Sequence, residues 1–186
     1  MKWFWQLGCP CDPQLARAIL ELERTAWPSD DPDERFPSAP ETYAASIVAF
    51  EGSRAVGHTA VRKKAFVHRS VAYTGYGLSE VVVHPQWQRR GIGSEMIRRA
   101  ADFISACAPD VSLFTCEPGR VGFYQRGGWR AAKDACLVGG TRERPFRSDR
   151  LGLTVVVRFF SSRAILHRAD FDGADIWIEL GENQLW

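Results

Sequence analysis

The chain has 186 residues, 24 Lys and Arg against 22 Asp and Glu, a formal net charge of +2 and 45% hydrophobic residues. That length is enough to bury a core and is expected to form one domain over residues 1–186. Near-balanced charge and ordinary apolar content argue against disorder and against general nucleic-acid binding, and no apolar run approaches the roughly 20 residues of a membrane span.

The start, Met1-Lys2-Trp3-Phe4-Trp5-Gln6-Leu7, has no long hydrophobic region and no small-residue cleavage site, so it reads as a first strand rather than a signal peptide. Cys9, Cys11, Cys107, Cys116 and Cys136 are odd in number and scattered, which suits reduced thiols and a cytoplasmic setting. Cys9-Pro10-Cys11 has no second Cys or His pair at ligand spacing; it reads as a turn, and no metal is expected. Asp12-Pro13 signals a helix start, and residues 14–26 place Leu15, Ala18, Ile19 and Leu22 on one face. Pro28 ends that helix, and residues 29–37 form a loop rich in proline and carboxylates. Residues 45–50 and 55–61 read as a hairpin around the turn at 51–54. Extended structure continues to Tyr73, and Thr74-Gly75-Tyr76-Gly77 is expected to turn back into the next strand. The order to that point is β-α-β-β-β.

Residues 79–94, S-E-V-V-V-H-P-Q-W-Q-R-R-G-I-G-S, read as strand, turn, glycine-rich loop and helix start. Ser79, Glu80, Val81, Val82 and Val83 form the strand end; His84-Pro85 stops it, because proline lacks an N–H and restricts the residue before it. The following helix, residues 93–107, buries Met96, Ala100, Ile104 and Cys107 on one stripe. A short strand follows at 111–116, a helix at 117–127, a strand at 129–138, a loop at 141–152 and a strong strand at 153–160. Two strand–helix–strand passages argue for parallel pairing within a mixed α/β sheet.

A helix that begins on glycines exposes N–H groups and its positive dipole end, which is an anion site, and Arg89 and Arg90 beside it favour a phosphate or pyrophosphate. The P-loop pattern fails because Ser94-Glu95 follow Gly93, and the dinucleotide fingerprint fails because Met96 stands where its third glycine belongs. Gln88-Arg89-Arg90-Gly91-Ile92-Gly93 after a Val-x-Pro strand end resembles the acetyl-coenzyme A loop of the GNAT N-acetyltransferases. The resemblance implies a GNAT acyl-CoA N-acyltransferase fold and acetyl-CoA as co-substrate. It would be held by Val81, Val82, Val83, Gln88, Arg89, Arg90, Gly91, Ile92, Gly93 and Ser94. Phe123-Tyr124-x-x-x-Gly128-Trp129 resembles the family's Phe-Tyr-x-x-x-Gly-Phe signature, which makes Tyr124 the candidate general acid for the leaving thiolate. Glu80, a carboxylate on an otherwise apolar strand, is the candidate base for the acceptor's ammonium. Donor and acceptor would then meet on one strand.

The acidic loop near Asp30, Asp31 and Asp33 and the acidic tail ending in Leu185-Trp186 suit a cationic acceptor. Over most of its length the chain resembles the aminoglycoside 2′-N-acetyltransferases. That resemblance maps the strand glutamate onto Glu80 and a terminal carboxylate onto Trp186, giving Trp186 a catalytic part. Acceptor contacts map onto Asp30, Asp31, Asp33, Thr115 and Asp149. Where the family has an aspartate two residues before the tryptophan this chain has Gln184, which suits a less cationic amino sugar such as kasugamycin and would make the enzyme an antibiotic-resistance determinant. The expected partner is a small-molecule amine, with neither nucleic acid nor membrane; a homodimer is left open. The rival readings are an acyltransferase for peptide N-termini or polyamines and a coenzyme A-binding module without chemistry.

Overall fold

In the computed structural model, which describes residues 1–186, the chain opens with β1 (Lys2–Leu7). It pairs antiparallel with β2 (Tyr43–Glu51), from Lys2 opposite Phe50 to Leu7 opposite Ala45. Between them α1 (Pro13–Glu23) starts as its sequence predicts: Asp12 accepts from the N–H groups of Gln14 and Leu15, and Pro13 takes the first helical position. β2 turns at residues 52–53 into β3 (Arg54–His68), and β3 is followed by β4 (Val71–Val83).

The turn between β3 and β4 corrects one expectation. It lies at Arg69 and Ser70, with φ of +46° and +66°, and residues 74–77 belong to the strand. The two glycines there serve close approach rather than reversal. A Cβ on Gly75 would lie 2.8 Å from Phe66 Cε1, and one on Gly77 2.5 Å from Trp186 Cε3.

Past β4 a 3₁₀ turn (Pro85–Trp87) leads to α2 (Ile92–Ala106). Met96, Ile97, Ala100, Ala101 and Ile104 are buried, as the periodicity requires; Cys107 lies beyond the helix end and is exposed. Next come β5 (Val111–Cys116), a 3₁₀ turn (Pro118–Arg120) and α3 (Val121–Gln125), where one longer helix was expected. The expected strand at 129–138 is two strands, β6 (Arg130–Ala131) and β7 (Cys136–Gly140), broken at Asp134 with φ +50°. The loop expected at 141–152 contains β8 (Pro145–Arg147). β9 (Thr154–Phe159), α4 (Ser162–Leu166, capped by Ser161) and β10 (Asp175–Trp177) complete the chain. No helix is long and apolar enough to cross a membrane.

The chain divides into two compact units, Met1–Arg62 with Leu78–Ala100 and Lys63–Gly77 with Ala101–Trp186. In the first, β1, β2, β3 and the end of β4 run side by side. Ile19 and Leu22 of α1 pack with Val48, Ala55 and Val82. Ile92, at the start of α2, packs with Ala49 and Val56, and Gly57 admits it: a Cβ there would come 3.0 Å from Ile92 Cγ2. In the second unit the start of β4 is followed by β5, β9 and β6, and a separate sheet has the order β10-β7-β8. Of the two expected parallel passages, the one through α2 is parallel, β4 to β5; the one through α3 ends in β6, which pairs antiparallel with β9.

Candidate active site

The glycine-rich loop is built from its own strand. Val82 points into the core while Val81 and Val83 stay half-buried on the opposite face, the alternation of a strand. β4 and β5 pair only at Gly75–Val111 and Tyr76–Ser112, so from Gly77 onward the main chain of β4 has no ladder on its β5 side. After Val83 the His84 ring accepts from Gln86 N–H and caps the 3₁₀ turn, and Gln88 Nε2 donates back to the Val83 carbonyl at 3.1 Å. Arg89 and Gly91 take φ of +60° and +81°. The first bond of α2 runs from Glu95 N–H to the Gly91 carbonyl at 3.0 Å. The N–H groups of Ile92, Gly93 and Ser94 therefore have no acceptor within the helix. The Arg90 guanidinium lies 4.7 Å over the Trp87 ring, and a Cβ on Gly91 would meet nothing within 4 Å. Free amides at a helix start, room above Gly91 and two exposed arginines fit a diphosphate.

Glu80 sits on β4 with φ +50°, a left-handed conformation that costs a non-glycine residue about 1–3 kcal/mol. Its Oε1 accepts from Arg62 Nη2 at 2.5 Å and its Oε2 from Ser79 Oγ at 2.5 Å. Arg62 is buried, whereas Glu80 keeps 22% of its side chain exposed. Sequence reasoning missed Arg62, because Arg62-Lys63-Lys64 looks like a solvated basic run. The available signal was its direct continuation of the apolar run Ala60-Val61, a strand segment buried on both faces, where a guanidinium must have its donors satisfied.

Tyr124, on α3, is buried edge-on against Phe114 and Phe123, and burial pushes its phenol up to about 12. Trp129 of the same motif is a core residue whose Nε1 donates to Ser112 Oγ at 3.0 Å. Cys116 is raised by burial to about 11, so it is a protonated thiol rather than a thiolate nucleophile.

Thr115 and Trp186 come together: both the N–H and the hydroxyl of Thr115 donate to the main-chain oxygen of Trp186, the first at 2.8 Å. The indole is buried over Gly77. Gln184 uses its carbonyl to accept from Gly140 N–H at 3.0 Å, and the missing side chain of Gly139 lets it approach. Asp149 stands apart from this group, in an ion pair with Arg147, which also binds Asp175; that guanidinium holds the Asp149 carboxyl down at about 2. Asp30, Asp31 and Asp33 are exposed on the loop after α1, where Asp31 caps Asp33 N–H, and neighbouring Glu34 is paired with Arg24 at 2.9 Å.

A family model for the acetyltransferase (GNAT) domain matches residues 26–149, which include β2 to β7, α2, the glycine-rich loop and Tyr124. The chain belongs to the GNAT acetyltransferases. It is thus an acetyl-CoA-dependent N-acetyltransferase with the GNAT mixed α/β fold. Among solved structures, this GNAT chain is similar to an acyl-CoA N-acyltransferase from Pseudomonas aeruginosa, with TM-score 0.62 at 11% identity over 84% of this chain and 98% of that one. ElaA of Escherichia coli has TM-score 0.62 at 13% identity, with coverage of 84% and 98%. An aminoglycoside 6′-N-acetyltransferase complexed with coenzyme A has TM-score 0.55 at 12% identity, covering 84% of this chain and 96% of that one. At such identities the likeness is one of fold. No curated protein matches in sequence. As a GNAT acetyltransferase the chain uses acetyl-CoA as co-substrate.

Proposed function

We propose that the chain acetylates an amino group of an amino-sugar antibiotic by direct transfer in a ternary complex, with Glu80 as base. One observation carries this reading: Glu80 is held half-exposed, in a strained backbone conformation, by a buried arginine and a serine. Backbone strain that organised donors hold in place clusters at functional sites, and a fixed, ionised and partly exposed carboxylate can accept a proton from an ammonium. Acetyl-CoA supplies the thioester. The ammonium gives its proton to Glu80, directly or through water. The free amine then attacks the carbonyl carbon, the carbon–sulfur bond breaks, and the departing thiolate takes up the proton that the acylated nitrogen sheds, giving the amide and coenzyme A.

Tyr124 is the candidate acid for that thiolate in this scheme. Its phenol, at about 12, is a weaker acid than a thiol near about 8.5. It therefore stabilises the leaving sulfur by donating a hydrogen bond more readily than by surrendering its proton. The exposed Asp30, Asp31 and Asp33 would meet the acceptor from the loop.

The charge state of the carboxylates supports a weakly cationic acceptor over a polycationic one. Glu80 is paired with Arg62, Glu34 with Arg24 and Asp149 with Arg147, so much of the negative charge legible in the sequence is already neutralised. Kasugamycin fits that balance better than a kanamycin-type aminoglycoside. The test is free coenzyme A release across kasugamycin, kanamycin-type aminoglycosides, peptides with free N-termini and polyamines. Turnover with the amino sugars, kasugamycin ahead, is expected; turnover with peptides alone would overturn the reading. Binding of acetyl-CoA with no transfer to any amine would do the same.

A further inference from the structure

Arg62 is only 2% exposed, and a guanidinium so placed is stable only when its donors are used. Here every nitrogen is. Nε donates to Ser79 Oγ at 2.8 Å, Nη1 to the Ala39 carbonyl at 2.9 Å, and Nη2 to both Glu80 Oε1 at 2.5 Å and Ser38 Oγ at 3.1 Å. The two serines do the same work on opposite sides. Ser79 Oγ accepts from Arg62 and donates to Glu80 Oε2, and Ser38 Oγ accepts from Arg62 and donates to Glu80 Oε1 at 3.4 Å.

Consecutive side chains on a strand point to opposite faces, so Ser79 and Glu80 could not ordinarily bond each other. The left-handed φ of Glu80 is the local kink that brings both to one side, toward Arg62. The strain is retained because four donors and acceptors over-determine it. A carboxylate has about four lone-pair sites, and Glu80 accepts from three donors (Arg62 Nη2, Ser38 Oγ and Ser79 Oγ), so one direction is free for an incoming ammonium.

We propose that Arg62 is the positioning residue for the acceptor's amine: it aims the Glu80 carboxylate and fastens the Ser38–Ala39 segment to it, so that one buried cation sets both the base and the adjoining acceptor loop. The proposal rests on the reading of Glu80 as base. The planar fork is essential to it, since a lysine carries the charge without the paired, divergent donors that reach Glu80, Ser79 and Ala39 together.

The test uses the full chain with acetyl-CoA and its best amine acceptor. Turnover, acceptor KM and acetyl-CoA Kd are measured for Arg62→Lys, Arg62→Met, Ser38→Ala, Glu80→Gln and the double variant R62M/E80Q. Arg62→Lys should lower kcat about 10- to 100-fold, the scale of a misplaced catalytic group, with acetyl-CoA Kd within about twofold of wild type. Ser38→Ala should raise acceptor KM several-fold and lower kcat by less than Arg62→Lys does, since its bond to Glu80 is the longest of those that hold the carboxylate. In the cycle, adding Arg62→Met to Glu80→Gln should slow the enzyme no further, because Arg62 acts through Glu80. Losses that multiply in the double variant would overturn the proposal, as would Arg62→Lys with wild-type kcat and KM. A crippled Glu80→Gln beside a normal Arg62→Lys removes Arg62 alone, whereas a fully active Glu80→Gln removes the base reading and the proposal with it. Should Arg62→Met fail to fold, Arg62→Lys and Ser38→Ala decide the matter.

Discussion

Gly77→Ala is the substitution whose outcome the structure determines most sharply. Gly77 lies within β4 without a left-handed φ, so on backbone preference alone alanine should gain about 0.5–1 kcal/mol. Sterics reverse the sign. The new Cβ would stand 2.5 Å from Trp186 Cε3 and 2.9 Å from the Leu113 carbonyl oxygen, where carbon pairs prefer about 3.5–4.0 Å. The carbonyl cannot retreat, because Leu113 is paired with Val157 on β9. The indole must therefore move by about 1 Å while its own main chain is tied to Thr115. Overpacking of this kind costs about 1–3 kcal/mol, and loss of a buried aromatic altogether about 3–5. We expect a net destabilisation of about 2–4 kcal/mol, a fall in Tm of roughly 4–16 °C for a chain of this length. Thermal and urea unfolding followed by circular dichroism would measure it. In a Trp186→Ala background the cost should fall but persist, since the Leu113 carbonyl, which cannot retreat, still stands 2.9 Å from the new Cβ. A Gly77→Ala chain as stable as wild type would refute the steric account and return residues 74–77 to the turn their composition suggests.

Arg90→Ala should weaken acetyl-CoA binding about 10-fold, the worth of a hydrogen bond to a charged group, with the deficit shrinking at high salt; equal Kd in calorimetry would take Arg90 off the diphosphate. Tyr124→Phe should lower kcat about 10- to 100-fold without altering acetyl-CoA Kd, and an unchanged kcat would leave the phenol a packing residue. Alkaline stability follows from burial. Tyr43, Tyr76 and Tyr124 are each raised to about 12 and Cys116 to about 11. The unfolded chain releases those protons first, so this contribution is whole below about pH 9 and is lost as pH rises through about 12. Each group contributes at most about 1.4 kcal/mol per pH unit within its window. Urea midpoints from pH 8 to 11.5 should fall, and less steeply in Tyr124→Phe; a flat profile would contradict the buried phenols.

Much of the fold was legible because its signals are local. Asp12-Pro13 specifies a helix start through hydrogen bonds two and three residues away. The buried stripe of α2 repeats at helical spacing, and Val81-Val82-Val83 followed by His84-Pro85 marks a strand and its end. The expectations that failed share a different character. Gly75 and Gly77 read as turn residues because a glycine that makes room for a distant ring looks, in sequence, like one that reverses the chain. Residues 129–138 read as one strand because the break at Asp134 leaves no Gly or Pro to mark it.

The stretch from Ser79 to Ser94 determined by itself that this chain has a strand, a glycine-rich loop and a helix that starts with unpaired amides, since each of those features depends on neighbours within a turn or two. Which residues stand beside Glu80, and which beside Trp186, was a matter for tertiary structure. Arg62 is 18 residues from Glu80, Ser38 is 42, and Thr115 is 71 from Trp186. Those partners are chosen by strand register and by the space that buried groups leave one another, and no local pattern in the sequence carries either.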